Sequence, residues 1–94
     1  MVKIVYSKHL ILRLKLREIP YNLPGKIYRL SKEHYFDVNT QKKIVVGKAL
    51  YKNKLREMAV IYEEINDKIL LITIHPLKRG QKLKRINSGR WRRL

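Results

Sequence analysis

The most hydrophobic stretch of the chain is the run Ile69–Ile74, which is followed at once by His75 and Pro76. The run carries apolar residues on both faces of a potential strand and is rich in β-branched residues, a pattern typical of a strand that is covered on both sides. We therefore predict a buried strand at the centre of a sheet. Pro76 lacks a backbone donor and biases the preceding residue to extended geometry, which places His75 where the strand ends.

The N-terminal segment predicts a short strand followed by a helix. Val2, Ile4 and Tyr6 recur at the period of a strand, and Ser7 is a suitable helix N-cap. The segment His9–Arg17 is ambiguous, since its leucines alternate with basic residues at a period of two. Leucine, lysine and arginine are strong helix formers, however, and the leucines also pair at a spacing of four. These preferences favour a helix.

A second helix is predicted to begin at Asn22, with Pro24 in its first turn. Four residues at helical spacing form one stripe of this helix, namely Leu23, Ile27, Leu30 and His34. On this pattern His34 is a half-buried core residue. The short connection through Pro20 joins the two helices into a hairpin.

Four strands are predicted after the helices, and they complete an α+β fold. The first covers Tyr35–Val38, the second Lys43–Tyr51 and the third Leu55–Glu64. Lys52, Asn53 and Lys54 are expected to turn the chain between the second and the third. Asn66 and Asp67 close a hairpin onto the final, buried strand. The expected architecture is an N-terminal strand, a two-helix hairpin and then antiparallel strands that form one sheet.

Length and composition restrict the class of protein. Residues 1–94 are enough for one small domain, in which 76–94 form a basic C-terminal arm and a candidate flexible segment. The chain has no cysteine, which fits a reducing compartment, and no apolar run near the roughly 20 residues that span a bilayer. The N-terminus also lacks the apolar core of a signal peptide. We expect a cytoplasmic, soluble protein.

Positive charge is the strongest global feature of the chain. There are 23 lysines and arginines against 7 acidic residues, a formal net charge of +16. A heat-adapted surface usually gains lysine and glutamate together, whereas here the acids are scarce. An uncompensated positive field repels itself, so a polyanionic partner is the better explanation, and nucleic acid fits best. A membrane surface fits less well, because no segment predicts a clean amphipathic helix with a basic face.

The histidines are the main candidates for acid–base chemistry. Their spacing matches no metal-binding motif, and the sequence has no glycine-rich phosphate loop, so we expect neither a metal nor another cofactor. A positive field favours the neutral form of histidine, which can then act as a base near physiological pH. His9 and His75 are therefore candidates for proton transfer in metal-free RNA cleavage, with Arg56 as a phosphate ligand. The alternative is that these histidines only form local hydrogen bonds.

The basic arm supplies most of the candidate RNA-binding residues. It contains no acidic residue, and Trp91 offers a stacking face between two arginines, a combination found in RNA-binding segments. Together with Arg17 of the first helix, the candidates are Lys78, Arg79, Lys82, Lys84, Arg85, Arg90 and Trp91. The alternative is that Ile86 and Trp91 dock the arm on the core.

Three short motifs resemble the RelE/ParE toxin superfamily. They are YSKH at Tyr6–His9, Arg17 followed by Glu18 and Ile19, and ITIHP at Ile72–Pro76. With the predicted order of strand, helix hairpin, four-stranded sheet and basic C-terminus, they are similar to an uncharacterised RelE-like branch with an N-terminal Tyr-x-x-His and an Arg-x-Ile after the first helix. The resemblance covers nearly the whole chain.

The resemblance implies a toxin-type, metal-independent endoribonuclease that cleaves mRNA, often on the ribosome, and that an acidic antitoxin neutralises. In the superfamily, cationic, tyrosine or histidine residues on the sheet and at the C-terminus carry the activity, while other members poison DNA gyrase. This chain departs from the best-known ribonucleases in lacking a tyrosine near its C-terminus. A non-catalytic RNA- or ribosome-binding module, in which the same cations only position phosphates, is the alternative.

Overall fold

In a computed structural model, which describes residues 2–94, the protein has three helices and one six-stranded mixed sheet, so the predicted α+β class is confirmed. In chain order the elements are β1 (Lys3–Tyr6), α1 (Lys8–Leu16), α2 (Leu23–Leu30), β2 (Glu33–Asp37), β3 (Lys42–Tyr51), β4 (Lys54–Ile65), β5 (Lys68–Pro76), α3 (Gln81–Asn87) and β6 (Trp91–Arg93). The strands lie in the order β1-β5-β4-β3-β2-β6. β1 runs parallel to β5, and the other neighbouring pairs are antiparallel.

β5 contains the most hydrophobic run, but its predicted position at the centre of the sheet is wrong. β3 and β4 are the central pair, and β5 lies one strand from the edge. The neighbouring β1 pairs only as far as Leu71, after which Ser7 continues the contact. The N–H of Ser7 donates to the carbonyl oxygen of Leu71 at 2.9 Å, and its hydroxyl donates to that of Ile72 at 2.7 Å. These two bonds occupy the carbonyl oxygens of Leu71 and Ile72, so the start of α1 continues the contact along β5 where β1 ends.

α1 is helical, as predicted, and its packing follows a spacing of four residues. The hydroxyl of Ser7 accepts a hydrogen bond from the N–H of Leu10 at 3.0 Å, which caps the helix. Leu10 and Leu14 are buried against the sheet, whereas Leu12 and Leu16 are exposed. The apparent period of two in this segment therefore does not describe its burial.

α2 begins with Pro24 in its first turn, as predicted, but it ends at Leu30. Ser31 adopts extended backbone geometry, and its hydroxyl donates to the carbonyl oxygen of Val46 and accepts from the N–H of Glu33. The chain therefore leaves the helix and enters β2. The predicted place of His34 on α2 is wrong, although its half-buried state is as expected. Leu30, predicted to face the core, is 69 % exposed.

The sheet has an apolar layer on each face. On the side of α1 and α2, which we call the helical face, the core includes Leu10, Ile27, Val45, Met58, Val60, Tyr62, Leu71 and Ile74. On the other side, which we call the α3 face, it consists of Tyr35, Ile44, Val46, Ala59, Leu77 and Trp91, with Ile86 packed against it. The alternation along β4 sends neighbouring residues to opposite faces, so a residue's position in the strand determines which layer it joins.

Residues 77–94 fold onto the sheet, so the prediction of a flexible segment after Pro76 is wrong. α3 covers part of the α3 face, and β6 pairs antiparallel with β2. Trp91 is buried and stacks on Tyr35, with ring centroids 5.6 Å apart. The alternative, that Ile86 and Trp91 dock this segment, describes the structure. Burial of the Trp91 indole removes a large apolar surface from water, and this stabilises the docked segment.

No helix within residues 2–94 is both long enough and apolar enough to cross a membrane.

Candidate functional site

His75 lies in a groove of about 270 Å³ on the α3 face of the sheet. It is half-buried, and the pairing of β4 with β5 sets it opposite Ala59. The other residues that line the groove come from the sheet, from α3 and from the segment around β6, namely Asp37, Thr40, Lys42, Ile44, Ile61, Ile72, Gln81, Arg85, Arg90 and Trp91. We call this cavity the His75 groove.

The environment of His75 favours the neutral imidazole. Burial lowers its pKa below the usual value for histidine, and the positive charges of Arg13 and Arg17 on the α1 side lower the pKa further. The field effect predicted from the sequence is thus present at His75, although burial is the larger cause. A neutral imidazole at neutral pH can accept a proton from a hydroxyl group, which is the property that a general base requires.

Three cations line the His75 groove. Lys42 forms an ion pair with Glu63, and Arg90 forms one with Asp37. Arg85 projects from α3 as the third cation and is half-buried. The structure therefore brings together four of the predicted site residues, His75, Arg85, Arg90 and Trp91. Of these, His75 supplies a neutral imidazole, and Arg85 supplies a guanidinium group that has no ion-pair partner within residues 2–94. A guanidinium group is a strong ligand for phosphate.

Asp37 is the buried carboxylate of the groove and has a structural role. It accepts hydrogen bonds from the side chain of Arg90 at 3.1 Å, from the N–H of Asn39 at 2.9 Å and from the indole of Trp91 at 3.2 Å. Burial acts to raise its pKa, but these bonds together outweigh burial, and the pKa lies below its ordinary value. The carboxylate is therefore ionised at neutral pH and cannot donate a proton.

His9 lies outside the His75 groove. It is exposed in the first turn of α1 and lines a shallow cleft of about 180 Å³ with Leu12, Arg13, Leu16 and Arg17. Arg13 and Arg17 are also the residues whose charges lower the pKa of His75. These two arginines thus line the cleft of His9 and act electrostatically on His75, but the two histidines line different clefts.

Arg56 lies on the opposite face of the sheet from His75. It lies two residues before Met58 and six before Tyr62 on β4, a spacing that places all three on the helical face. Its Nη2 donates to the carbonyl oxygen of Leu77 at 3.1 Å, which ties β4 to the segment after β5. Arg56 lines two clefts, and neither contains a histidine, so among the described residues no two of the three predicted catalytic residues share a cleft.

Three of the predicted RNA-binding residues hold the C-terminal segment in place. Lys82 lies 2.8 Å from a carboxylate oxygen of Glu33 and 2.8 Å from one of Glu57, and these partners raise its pKa. Arg90 is paired with Asp37, and Trp91 is buried. These contacts leave the three side chains poorly placed to bind RNA, because they already serve the docking of α3 and β6.

The remaining predicted cations are accessible. Lys78, Arg79 and Lys84 are exposed, and Arg17 is exposed at the end of α1. The turn between β3 and β4 brings Lys52 and Lys54 close to Arg56, as their shared clefts show. Sequence reasoning did not select these two lysines, although Lys52, Asn53 and Lys54 were predicted to turn the chain at this position.

Comparison with protein-family models, with curated proteins and with solved structures finds no match to this chain. Its function is therefore inferred from its own residues.

His34 and Tyr62 form a partly buried polar pair that sequence reasoning did not detect. The Nδ1 of His34 lies 2.6 Å from the hydroxyl of Tyr62, and its Nε2 lies 3.1 Å from the carbonyl oxygen of Ser31. A carbonyl oxygen only accepts, so Nε2 carries the proton and Nδ1 accepts from the tyrosine. Burial lowers the pKa of His34 and raises that of Tyr62, so both groups are neutral. The ring of Tyr28 packs edge-on against both, which makes this pair part of the helical core.

Proposed function

We propose that the protein is a toxin-type, metal-independent endoribonuclease that cleaves mRNA and uses His75 as its general base. The observation that carries the proposal is the half-buried imidazole of His75, with its lowered pKa, in the same groove as Arg85. The net charge of +16 supports a polyanionic substrate. Free mRNA and mRNA on the ribosome are both substrates of this class.

The reaction needs no oxidant or second substrate. Neutral His75 takes the proton of a 2′-hydroxyl group, and the resulting 2′-oxygen attacks the adjacent phosphorus. The bond to the 5′-oxygen breaks, which leaves a 2′,3′-cyclic phosphate and a 5′-hydroxyl group. Arg85 stabilises the negative charge that develops on the phosphate oxygens. Because His9 lines another cleft, the leaving oxygen takes its proton from solvent or from the imidazolium of His75.

A RelE-like fold, a cytoplasmic location and an acidic antitoxin partner belong to the same proposal. The parallel β1, the two consecutive helices α1 and α2 and the antiparallel strands β2 to β5 support the fold assignment. The antitoxin is supported by the excess of positive charge, since an acidic protein would neutralise that field.

A non-catalytic RNA- or ribosome-binding module is the second candidate function. The observation that favours it is that, within residues 2–94, no cleft contains two of the three predicted catalytic residues His9, Arg56 and His75. In such a module the cations would hold phosphates, and no bond would break.

Cleavage of labelled mRNA in EDTA, with and without ribosomes, tests the proposal. The expected products end in 2′,3′-cyclic phosphate and 5′-hydroxyl groups. Binding of the mRNA without any cleavage, on naked RNA and on translating ribosomes alike, would replace the enzyme with the binding module.

A further inference from the structure

Two clefts meet at Arg56, at the end of the sheet where β5 finishes. The first, of about 480 Å³, contains Arg17 and Lys52, and the second, of about 610 Å³, contains Lys54, Lys78 and Arg79. Arg56 lines both, so the two clefts form one continuous surface. We call its six cations, Arg17, Lys52, Lys54, Arg56, Lys78 and Arg79, the cationic track.

The charge of the cationic track is hardly compensated. Within residues 2–94, none of the five ion pairs includes a member of the track. The acids that line the two clefts are Glu18 and Glu57. The carboxylate of Glu57 is paired with Lys82 of α3, so six cations face one remaining acid, Glu18. A surface of this kind attracts a polyanion and releases its counterions.

The backbone fixes the middle of the track. Lys52 and Asn53 form a two-residue turn with positive φ angles of 51° and 64°, typical of a tight hairpin, and Tyr51 pairs with Lys54 across it. The ammonium group of Lys52 lies 5.5 Å from the centre of the Tyr51 ring. Arg56 is held through its bond to Leu77. These contacts position the side chains of Lys52 and Arg56 before a ligand binds.

The track begins next to the His75 groove. Pro76 lines the first cleft on the helical face, while the preceding residue, His75, lines the groove on the other face. Lys78 and Arg79 follow immediately in the loop that leads to α3. A strand that leaves the His75 groove can therefore pass around the end of β5 and stay in contact with positive charge.

We propose that the cationic track binds the phosphate backbone of single-stranded nucleic acid beyond the His75 groove, so that one strand bends around the end of the sheet. The proposal rests on the proposed function in one respect, that the groove holds the reacting phosphate. The molecule is only 21 Å across its shortest extent. A duplex, whose persistence length is about 150 base pairs, resists such a bend, whereas a single strand follows it.

Binding of a fluorescent 18-nucleotide 2′-O-methyl oligouridine, measured by anisotropy across a salt series, tests the track. The variant K52A/K54A removes two exposed cations of the track, and K78A/R79A removes two others. The control is K3A/K68A, which removes two exposed lysines that pair across β1 and β5 at the opposite end of β5. For each track variant the slope of log affinity against log salt should fall by about 1.4, since each single-strand phosphate contributes about 0.7.

The advantage of the parent over a track variant should therefore shrink about sevenfold between 50 and 200 mM salt. The control should keep the parental slope. The proposal would be wrong if the control lost as much of the salt slope as the track variants, or if both track variants kept the parental slope. If the track variants lose as much affinity for an 18-base-pair duplex as for the single strand, the bent path of the single strand is wrong.

The modified oligonucleotide separates the track from catalysis, because its 2′-oxygen cannot attack. If the track variants lose slope while the parent cleaves no RNA, the track stands and the endoribonuclease does not. If the parent cleaves RNA and the track variants keep the parental slope, the track fails and the endoribonuclease stands.

Discussion

The indole N–H of Trp91 donates to Oδ2 of Asp37 at 3.2 Å and joins two residues that are 54 positions apart in the chain. Arg90 donates to the same carboxylate, and β6 pairs with β2 beside it. The C-terminal segment, whose composition predicts a basic arm, thus contributes a strand to the sheet. The docking contacts involve three of the predicted RNA-binding residues, Lys82, Arg90 and Trp91.

Asp37→Ala should strongly destabilise the protein. The substitution leaves the guanidinium of Arg90 and the indole N–H of Trp91 without their acceptor in a largely buried setting, a change that costs about 3 kcal/mol of unfolding free energy. Urea denaturation measures it. Asp67→Ala, in the exposed turn between β4 and β5, is the control and should change stability by no more than about 0.5 kcal/mol. Equal effects of the two substitutions would show that Asp37 does not hold the C-terminal segment.

Trp91→Ala should cost about 3–5 kcal/mol, because the residue is 5 % exposed and stacks on Tyr35. Its exposed neighbour Arg92 is the control, and Arg92→Ala should have little effect.

Truncation after Leu77 removes the same contacts and all of β6, so it should unfold a domain whose total stability is about 5–15 kcal/mol. Thermal denaturation decides the matter, and a truncated chain that melts like the parent would contradict the packing described here.

The stability of the protein should fall as the pH drops below about 6.5, the usual pKa of an unfolded histidine. Burial lowers the folded pKa of His34 and of His75, so the unfolded chain binds more protons below that pH and gains stability relative to the native state. The loss continues until the pH reaches the folded pKa values. His34→Gln should flatten this dependence in urea titrations at pH 7 and pH 5. An unchanged pH dependence in that variant would exclude His34 as a contributor.

Local signals along the sequence predict much of the fold. Ser7 as an N-cap, Pro24 in the first turn of α2 and the turn residues after Tyr51 all mark element boundaries that the structure contains. These features depend on backbone chemistry within a few residues, which a sequence displays directly. The placement of Trp91 against Asp37 depends instead on two distant segments, so the composition of the tail alone suggested a solvated arm.

The geometry of the candidate site likewise depends in part on contacts between distant segments, which local sequence patterns do not show. Alternation along β4 correctly places Arg56 and Tyr62 on one face, because both residues belong to one strand. The relation of Arg56 to His75 depends on the register between β4 and β5, which sets His75 opposite Ala59 and includes an irregularity between Ile61 and Tyr62. No local pattern encodes that register, so the sequence does not show that the predicted phosphate ligand Arg56 and the predicted base His75 lie on opposite faces of the sheet.

With His75 as the proposed general base, the rate of RNA cleavage should rise with pH and level off before neutral pH, because the imidazole must be neutral to accept the proton and its pKa is lowered. Arg13→Ala removes a positive charge that lowers this pKa, so the rising limb should move to higher pH. Lys15→Ala removes an exposed charge from the same helix and serves as the control. Single-turnover rates between pH 5 and pH 8 give the profiles, and identical profiles for Arg13→Ala and the parent would separate the rate from the titration of His75.

The most direct test of the account is the single-turnover cleavage rate of His75→Gln in EDTA, at RNA concentrations that saturate the parent. Glutamine keeps a hydrogen-bonding group but cannot accept a proton near neutrality, so the rate should fall about 10² to 10⁴-fold while RNA affinity stays at the parental value. His9→Gln is the matched variant, and the separate cleft of His9 predicts the parental rate. Cleavage by His75→Gln at the parental rate would contradict the account.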